Sequence, residues 1–460
     1  MKKKSILSDL FFENFVVVII VIWTLGLAQS GRVGDLNQDG QINVQDVVQV
    51  LGIILEYNDT PTEYQLWSSD VNVDSVINIQ DIVIMVSVIM QTYDACPEFQ
   101  ELCSDNLTQC CYEITGNDIE WEIQLFGGDP GDISAIRDGW INNENDIWLF
   151  GEIHPLPGGP GSPNYYYAHW DGEEWIVGAP EYVNSGYEMY EFNGVFGLSS
   201  TNVWAVGTGP IHFDGSVWFQ YLPPACPSGM GSIYKLWGTS YSQMFFGMES
   251  GDIILWDGAE FEIMQTSTGT GSEFGDPTPV HDMWGTGPDN VWAMVKKVNT
   301  DPAIHPTTVM RYDGNGWEDW YVITDVWPIE GEVSGTIYNG WAYGDTLYLM
   351  SAWYGLWRES ITTGEGYYDD MDVVDNQVQF FKGRGLTGNH PNDIYSASWQ
   401  CKFAHWNGEF WYHGYEVYDY FQEQNVLALC YGMDVRGDTI VLFGDVNLGQ
   451  YGWVARGTRN

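Results

Sequence analysis

TNVWAVGTGPIHFDGSVW, Thr201–Trp218, holds both halves of a unit that recurs through most of the chain. Its first half, TNVWAVG (Thr201–Gly207), is a polar turn followed by a short apolar strand. The same shape returns in NDIWLFG (Asn145–Gly151), SQMFFG (Ser242–Gly247), DNVWAM (Asp289–Met294), DTLYLMS (Asp345–Ser351), NDIYSAS (Asn392–Ser398) and DTIVLFG (Asp438–Gly444). Measured at Trp148, Trp204, Met244, Trp292, Tyr348, Tyr395 and Val441, the copies stand 40 to 56 residues apart. A period of roughly 40–50 residues with several short strands in each is that of propeller blades.

The second half is a box of aromatic, Asp or Asn, Gly, two free positions and a closing aromatic. It reads WDGEEW (Trp170–Trp175), FDGSVW (Phe213–Trp218), WDGAEF (Trp256–Phe261), YDGNGW (Tyr312–Trp317) and WNGEFW (Trp406–Trp411). Asp-Gly between apolar strands predicts a tight type I′ turn with φ > 0 at both central residues. Each box then joins the inner and outer strands of one blade. The fifth unit lacks the box and keeps LWRES (Leu356–Ser360). The seventh reaches GWVARGTRN with no outer strand after it, whereas IEWEIQLF (Ile119–Phe126) resembles the segments that follow the boxes. That strand is expected to complete the last blade, because closure removes the open sheet edges that invite aggregation. The expected fold is mainly β: a seven-bladed β-propeller over 117–460. The repeats are similar to bacterial propellers of the kelch and Asp-box kind. Sialidase Asp-boxes carry a residue between Asp and Gly that these boxes lack, so sialidase catalysis is not implied.

Two further repeats precede this region. DLNQDGQINVQD (Asp35–Asp46) and DVNVDSVINIQD (Asp70–Asp81) match at the ligand positions 1, 3, 5 and 12. Ca²⁺ takes six to eight oxygens, and a twelve-residue loop with this spacing supplies them. The first site would use Asp35, Asn37, Asp39, the Gln41 carbonyl and Asp46. The second would use Asp70, Asn72, Asp74, the Val76 carbonyl and Asp81. Asn43 and Asn78 are placed to act through water. The pair resembles the type I dockerin, whose calcium repeats also carry Asp at loop position 12. The resemblance runs from about Gly34 to Met90 and implies a small all-α domain holding two Ca²⁺ ions. It also implies a cohesin-type protein partner, recognised through loop positions 10 and 11: Val44 and Gln45, then Ile79 and Gln80. The two faces are nearly identical, which permits docking in either of two orientations. Two departures are visible: Ser75 replaces the glycine of the sharp turn, and the segment from Glu56 to Ser69 is long. The competing reading is a calcium-stabilised spacer with no such partner.

Residues 1–30 have a basic start, an apolar run from Phe15 to Ala28 and a small-residue site at Ala28-Gln29-Ser30, the pattern of a secretory signal peptide. Fourteen apolar residues fall short of the about 20 that span a membrane. Membrane association is expected only if this segment is retained as an anchor. The formal net charge is −47, and such a field repels phosphate backbones, which excludes nucleic acid as a partner. The expected location is extracellular or at the cell surface. Cys96, Cys103, Cys110 and Cys111 cluster after the calcium repeats and are expected to form disulfides in an exported chain. Cys401 and Cys430 are candidates to pair across neighbouring repeats, leaving Cys226 odd. The domain plan is therefore a signal at 1–30, a dockerin-like domain at 31–95, a Cys-rich linker at 96–116 and the propeller at 117–460.

His169, His212 and His405 each precede a box aromatic. Equivalent positions repeat because blades repeat, so these read as scaffold, as do the box tryptophans. The inserts His154–Tyr167, Thr266–Pro279 and Lys296–Thr308 break the blades, and such inserts shape binding surfaces. Tyr165–Tyr167 offers rings that could stack on sugars. No nucleophile elbow, zinc-protease helix or phosphate-binding loop is present. The reading is an exported, non-catalytic protein. Its calcium-binding module docks to a cohesin-type partner in polysaccharide degradation, and its propeller binds a ligand, with polysaccharide one candidate. The rivals are a glycoside hydrolase or polysaccharide lyase with a propeller catalytic domain, and a structural cell-surface protein.

Overall fold

Seven four-stranded antiparallel sheets follow one another along the chain, and the first strands of successive sheets touch in a closed ring. This is a seven-bladed propeller. The computed structural model describes residues 36, 44–55, 61–69, 77, 79, 82, 85–86, 114–128, 133–155, 164–183, 189, 191–221, 232–265, 279–296, 307–323, 333, 337–351, 355–369, 371 and 383–460. They fall in two compact units, Met1–Cys111 and Tyr112–Asn460.

The inner strands of blades 1 to 7 are Ala135–Asn143, Phe192–Ser199, Ile233–Ser240, Val280–Gly287, Ile337–Tyr343, Gly383–His390 and Ala428–Arg436. The apolar repeats found in the sequence are the second strands, from Asp146–Ile153 in blade 1 to Thr439–Val446 in blade 7. These are the most buried, because a neighbouring blade covers each face. The cross-strand register puts Phe245, not Met244, at the position equivalent to Trp204: Phe245 faces Leu255 as Trp204 faces His212.

The seventh blade closes as expected. Ile119–Gly127 pairs antiparallel with Tyr451–Arg459, from Ile119 opposite Arg459 to Gly127 opposite Tyr451. The outer strand of the last blade therefore comes from before the first blade, and the ring is zipped by main-chain hydrogen bonds.

The boxes differ from expectation in two respects. Each joins the third strand to the outer strand, as Trp170 pairs with Trp175 and Trp406 with Trp411. Only the glycine has positive φ (95° at Gly172, 99° at Gly258), so the turn is not type I′. Four residues form the loop, and the box carboxylate organises it. Asp171 Oδ1 accepts the N–H groups of Glu173 and Glu174, both at 2.9 Å. Asp214, Asp257, Asp313 and Asn407 do the same for the two residues at the same offsets. A side-chain oxygen bonding the main chain two and three residues on mimics a backbone turn, which a type I′ geometry does not need. In blade 5 Asp345, in the turn between the first and second strands, supplies this, accepting the Thr362 N–H at 2.9 Å.

Neighbouring blades interlock by tryptophan against glycine. Trp140 packs on Gly197, Trp237 on Gly285 and Trp284 on Gly340, where an added Cβ would stand 2.1 Å from the Trp284 ring. In the first unit, helix α1 (Val44–Ile54) buries Val50, which clusters with Leu36 and Met85, and Val47, Ile53, Ile54, Ile77 and Ile82 pack against that cluster. Helix α2 (Glu63–Ser69) follows. No helix among the described residues is long and apolar enough to cross a membrane. The segment 1–30 and Cys96, Cys103, Cys110, Cys111 and Cys226 lie outside the described residues.

Candidate functional site

Every inner strand carries a β-bulge at the same register, between Ile136 and Asp138 in blade 1 and between Cys430 and Gly432 in blade 7. A bulge leaves one residue unpaired and re-aims its side chain. The extra residues with described side chains are Arg137, Asn193, Tyr234, His281, Tyr338 and Tyr431. Most of them line a central funnel of about 740 Å³ to which all seven inner strands contribute.

Five carboxylates line this funnel, Asp138, Glu152, Glu191, Asp282 and Asp434, and three of them bond the chain around them. Asp138 accepts the Val195 N–H at 3.2 Å and the Lys235 ammonium at 3.3 Å. Asp282 accepts the Gly340 N–H at 3.1 Å, and Asp434 the Ile141 N–H at 2.8 Å. These bonds cross from blade 1 to 2, 4 to 5 and 7 to 1. Burial pushes Asp282 up to about 6 against the pull of Lys235 and the Gly340 N–H. Burial likewise raises Asp434 to about 6 against the N–H groups of Ile141 and Val435. Glu152 is raised by burial, with Arg137 opposing. Arg137 stacks on the Tyr431 ring, 5.1 Å from its centroid. The funnel thus offers aromatic walls, two cations and several acids, a surface suited to binding. Its bulge residues range over Arg, Asn, Tyr and His, so the repeat did not reveal them; the recurring glycine beside an inner-strand aromatic was the available signal.

The three histidines are spent on the scaffold. His169 stacks on Trp148 at 4.0 Å and its Nε2 bonds Asp146 at 2.8 Å. His212 bonds Asn202 at 2.9 Å, and burial lowers it to about 4. His405 stacks on Tyr395 at 4.1 Å and bonds Asp393 and Asn117, both at 2.7 Å. Arg311 repeats the pattern, donating to Asn290 at 2.9 Å beside Trp292. Tyr166 and Tyr167 pack into the seam between blades 1 and 2, against Phe192 and Trp148. The greater parts of the three inserts lie outside the described residues.

In the first unit Asp46 is fully buried in the first turn of α1, and its Oδ1 accepts the Leu36 N–H at 2.9 Å. A carboxylate enclosed at the end of an oxygen-rich loop is the donor that calcium takes, so this residue fits the ion. Asp35, Asn37, Asp39 and Gln41 lie outside the described residues, as do Asp70, Asn72, Asp74, Val76, Asp81 and Gln80. Val44 is 65 % exposed and Ile79 63 %, and Gln45 is also exposed. Sequence reading missed their continuation. Val48, Leu51 and Leu55 recur at helical spacing after Val44 and are 60, 40 and 54 % exposed, forming one uncovered apolar stripe opposite Val50.

The fold defines a β-propeller protein that carries a separate small unit at its N-terminal end. Residues 33–90 match the Dockerin type I domain. Type I dockerin domains bind calcium and dock to cohesin domains, and the chain carries that kind of module. No curated protein matches the chain. Similar solved structures include YCF48 bound to D1 peptide, at 16 % identity over 75 % of this chain and 97 % of that one, with a TM-score of 0.49. Another is the WD40 propeller domain of Doa1, at 11 % identity over 74 % and 97 %, with a TM-score of 0.42. A third is the extracellular domain of the putative hybrid two component system BT3049 from B. thetaiotaomicron, at 9 % identity over 73 % and 40 %, with a TM-score of 0.46.

Proposed function

We propose that this is an exported, non-catalytic protein. Its dockerin domain, at 31–95, joins it through a Cys-rich linker at 96–116 to a propeller that acts as a binding cargo in a polysaccharide-degrading assembly outside the cell. Two Ca²⁺ ions, one at Asp35, Asn37, Asp39, Gln41 and Asp46 and one at Asp70, Asn72, Asp74, Val76 and Asp81, gather the loops. Val44 and Gln45, with Ile79 and Gln80, then meet the cohesin. The observation that carries this is the uncovered stripe of Val44, Val48, Leu51 and Leu55 on the calcium-loop helix. Monomeric surfaces rarely leave such a row bare without a partner.

The binding role of the propeller is supported by its funnel of about 740 Å³, lined by Arg137, Lys235, Glu152, Glu191 and the aromatic residues Tyr234 and Tyr431. The test is capture of the full chain on an immobilised type I cohesin, with and without a chelator. Retention in calcium that disappears in chelator is expected, and chelator-resistant retention contradicts it. Release of reducing sugar or unsaturated uronate from a polysaccharide panel would overturn the non-catalytic reading.

A further inference from the structure

Cys401 stands in the left-handed region, at φ 63°, in the short turn between the second and third strands of blade 6. The same turn occurs in blade 3. There the Met248 N–H bonds the Asp252 carbonyl at 2.9 Å and the Gly251 N–H bonds the Met248 carbonyl at 3.0 Å. In blade 6 the Ser398 N–H bonds the Lys402 carbonyl at 2.9 Å and the Cys401 N–H bonds the Ser398 carbonyl at 3.2 Å. Blade 3 fills the left-handed position with Gly251, φ 84°, which carries no Cβ strain. Blade 6 accepts that strain for a thiol. A strained non-glycine residue persists where its side chain has a use.

That side chain is wholly buried and shares one core with Cys430, equally buried, on the inner strand of blade 7. The two backbones meet across the blade seam, for the Cys430 N–H bonds the Trp399 carbonyl at 3.0 Å. Both residues are thiols in this structure. We propose that Cys401 and Cys430 are a disulfide-forming pair that staples blade 6 to blade 7, the blade that closes the ring.

Formation of the bond removes two electrons and two protons from the thiols. A disulfide oxidant such as oxidised glutathione takes them up as two thiols. Burial and the neighbouring Cys430 hold the Cys401 thiol well above its ordinary range. The folded protein therefore presents little thiolate, and exchange belongs to the folding chain, before the seam closes.

The test compares full-length protein exported through an oxidising compartment with protein made in a reducing cytosol. Each is unfolded in alkylating reagent without reductant and mapped by mass spectrometry. A peptide linking Cys401 to Cys430 is expected in the exported protein and absent from the cytosolic one. Alkylation of both residues in the exported protein, or a link from either to Cys226, overturns the proposal. Cys401→Gly suits the turn and should fold. Reduction should lower the Tm of the exported wild type more than that of this variant, and an equal drop also overturns the staple.

Discussion

The Asp393 carboxylate on blade 6 takes a hydrogen bond from the Arg459 guanidinium, which lies on the strand that zips to Ile119–Gly127. Asp393 is fully buried, and His405 reaches the same oxygen at 2.7 Å. These partners, with Asn389, hold its pKa well below the ordinary carboxylate range despite burial. A depressed carboxylate contributes stability above its unfolded pKa and loses it as pH falls towards the folded value. Asp393→Ala leaves Arg459 and His405 without their shared acceptor, and breaking a buried pair this way costs about 3 kcal/mol or more. Urea unfolding of the propeller should show that loss at pH 7 and a smaller one below pH 4.

Asp282 and Asp434 carry the opposite sign. Both are raised to about 6 by burial in the funnel. An acid with a raised folded pKa favours the native state below the unfolded value, near 4, and that contribution fades as pH rises through 6. Asp282→Asn keeps an acceptor for the Gly340 N–H and removes the buried charge. Its unfolding free energy should fall less between pH 4 and pH 7 than that of the wild type. Parallel pH profiles would contradict the buried ionisation.

Gly340 is the tightest of the tryptophan–glycine contacts. An added Cβ would meet the Trp284 ring at 2.1 Å, so Gly340→Ala must displace the ring or the strand. Overpacking of this kind costs about 1–3 kcal/mol. A denaturation midpoint equal to wild type would show that the blade seam yields freely.

The ring and its closure were legible because they rest on apolar periodicity. Second strands are covered on both faces, so their sequences converge on short, mostly apolar runs such as Val-Trp-Ala and Ile-Trp-Leu, and Ile119–Phe126 stood out as an outer strand without a blade. The turn type was misread because an Asp-Gly pair alone does not reveal that Asp171 bonds Glu173 and Glu174. The funnel was hidden for a different reason. Arg137, Asn193, Tyr234 and Tyr431 share a backbone bulge but range over three residue types, and bulges leave no period. The exposed stripe of α1 was readable only in part, since Val48 and Leu51 resemble core residues until Val50 is seen to take that role.

That stripe separates metal binding from docking. Asp46 belongs to the buried side of α1 and Leu51 to the bare side. Leu51→Glu places a charge in the apolar row and touches no expected calcium ligand, so calcium binding heats should match wild type while cohesin affinity falls. A charge desolvated against an apolar partner typically costs several kcal/mol, enough to weaken capture by about a hundredfold or more. Asp46→Ala removes a ligand of the first loop, so one binding event should vanish from the calcium titration. If the internal duplication lets the second repeat dock alone, that variant retains cohesin capture through Ile79 and its neighbours. Loss of capture in Asp46→Ala with both calcium events intact would place Asp46 in the helix core alone.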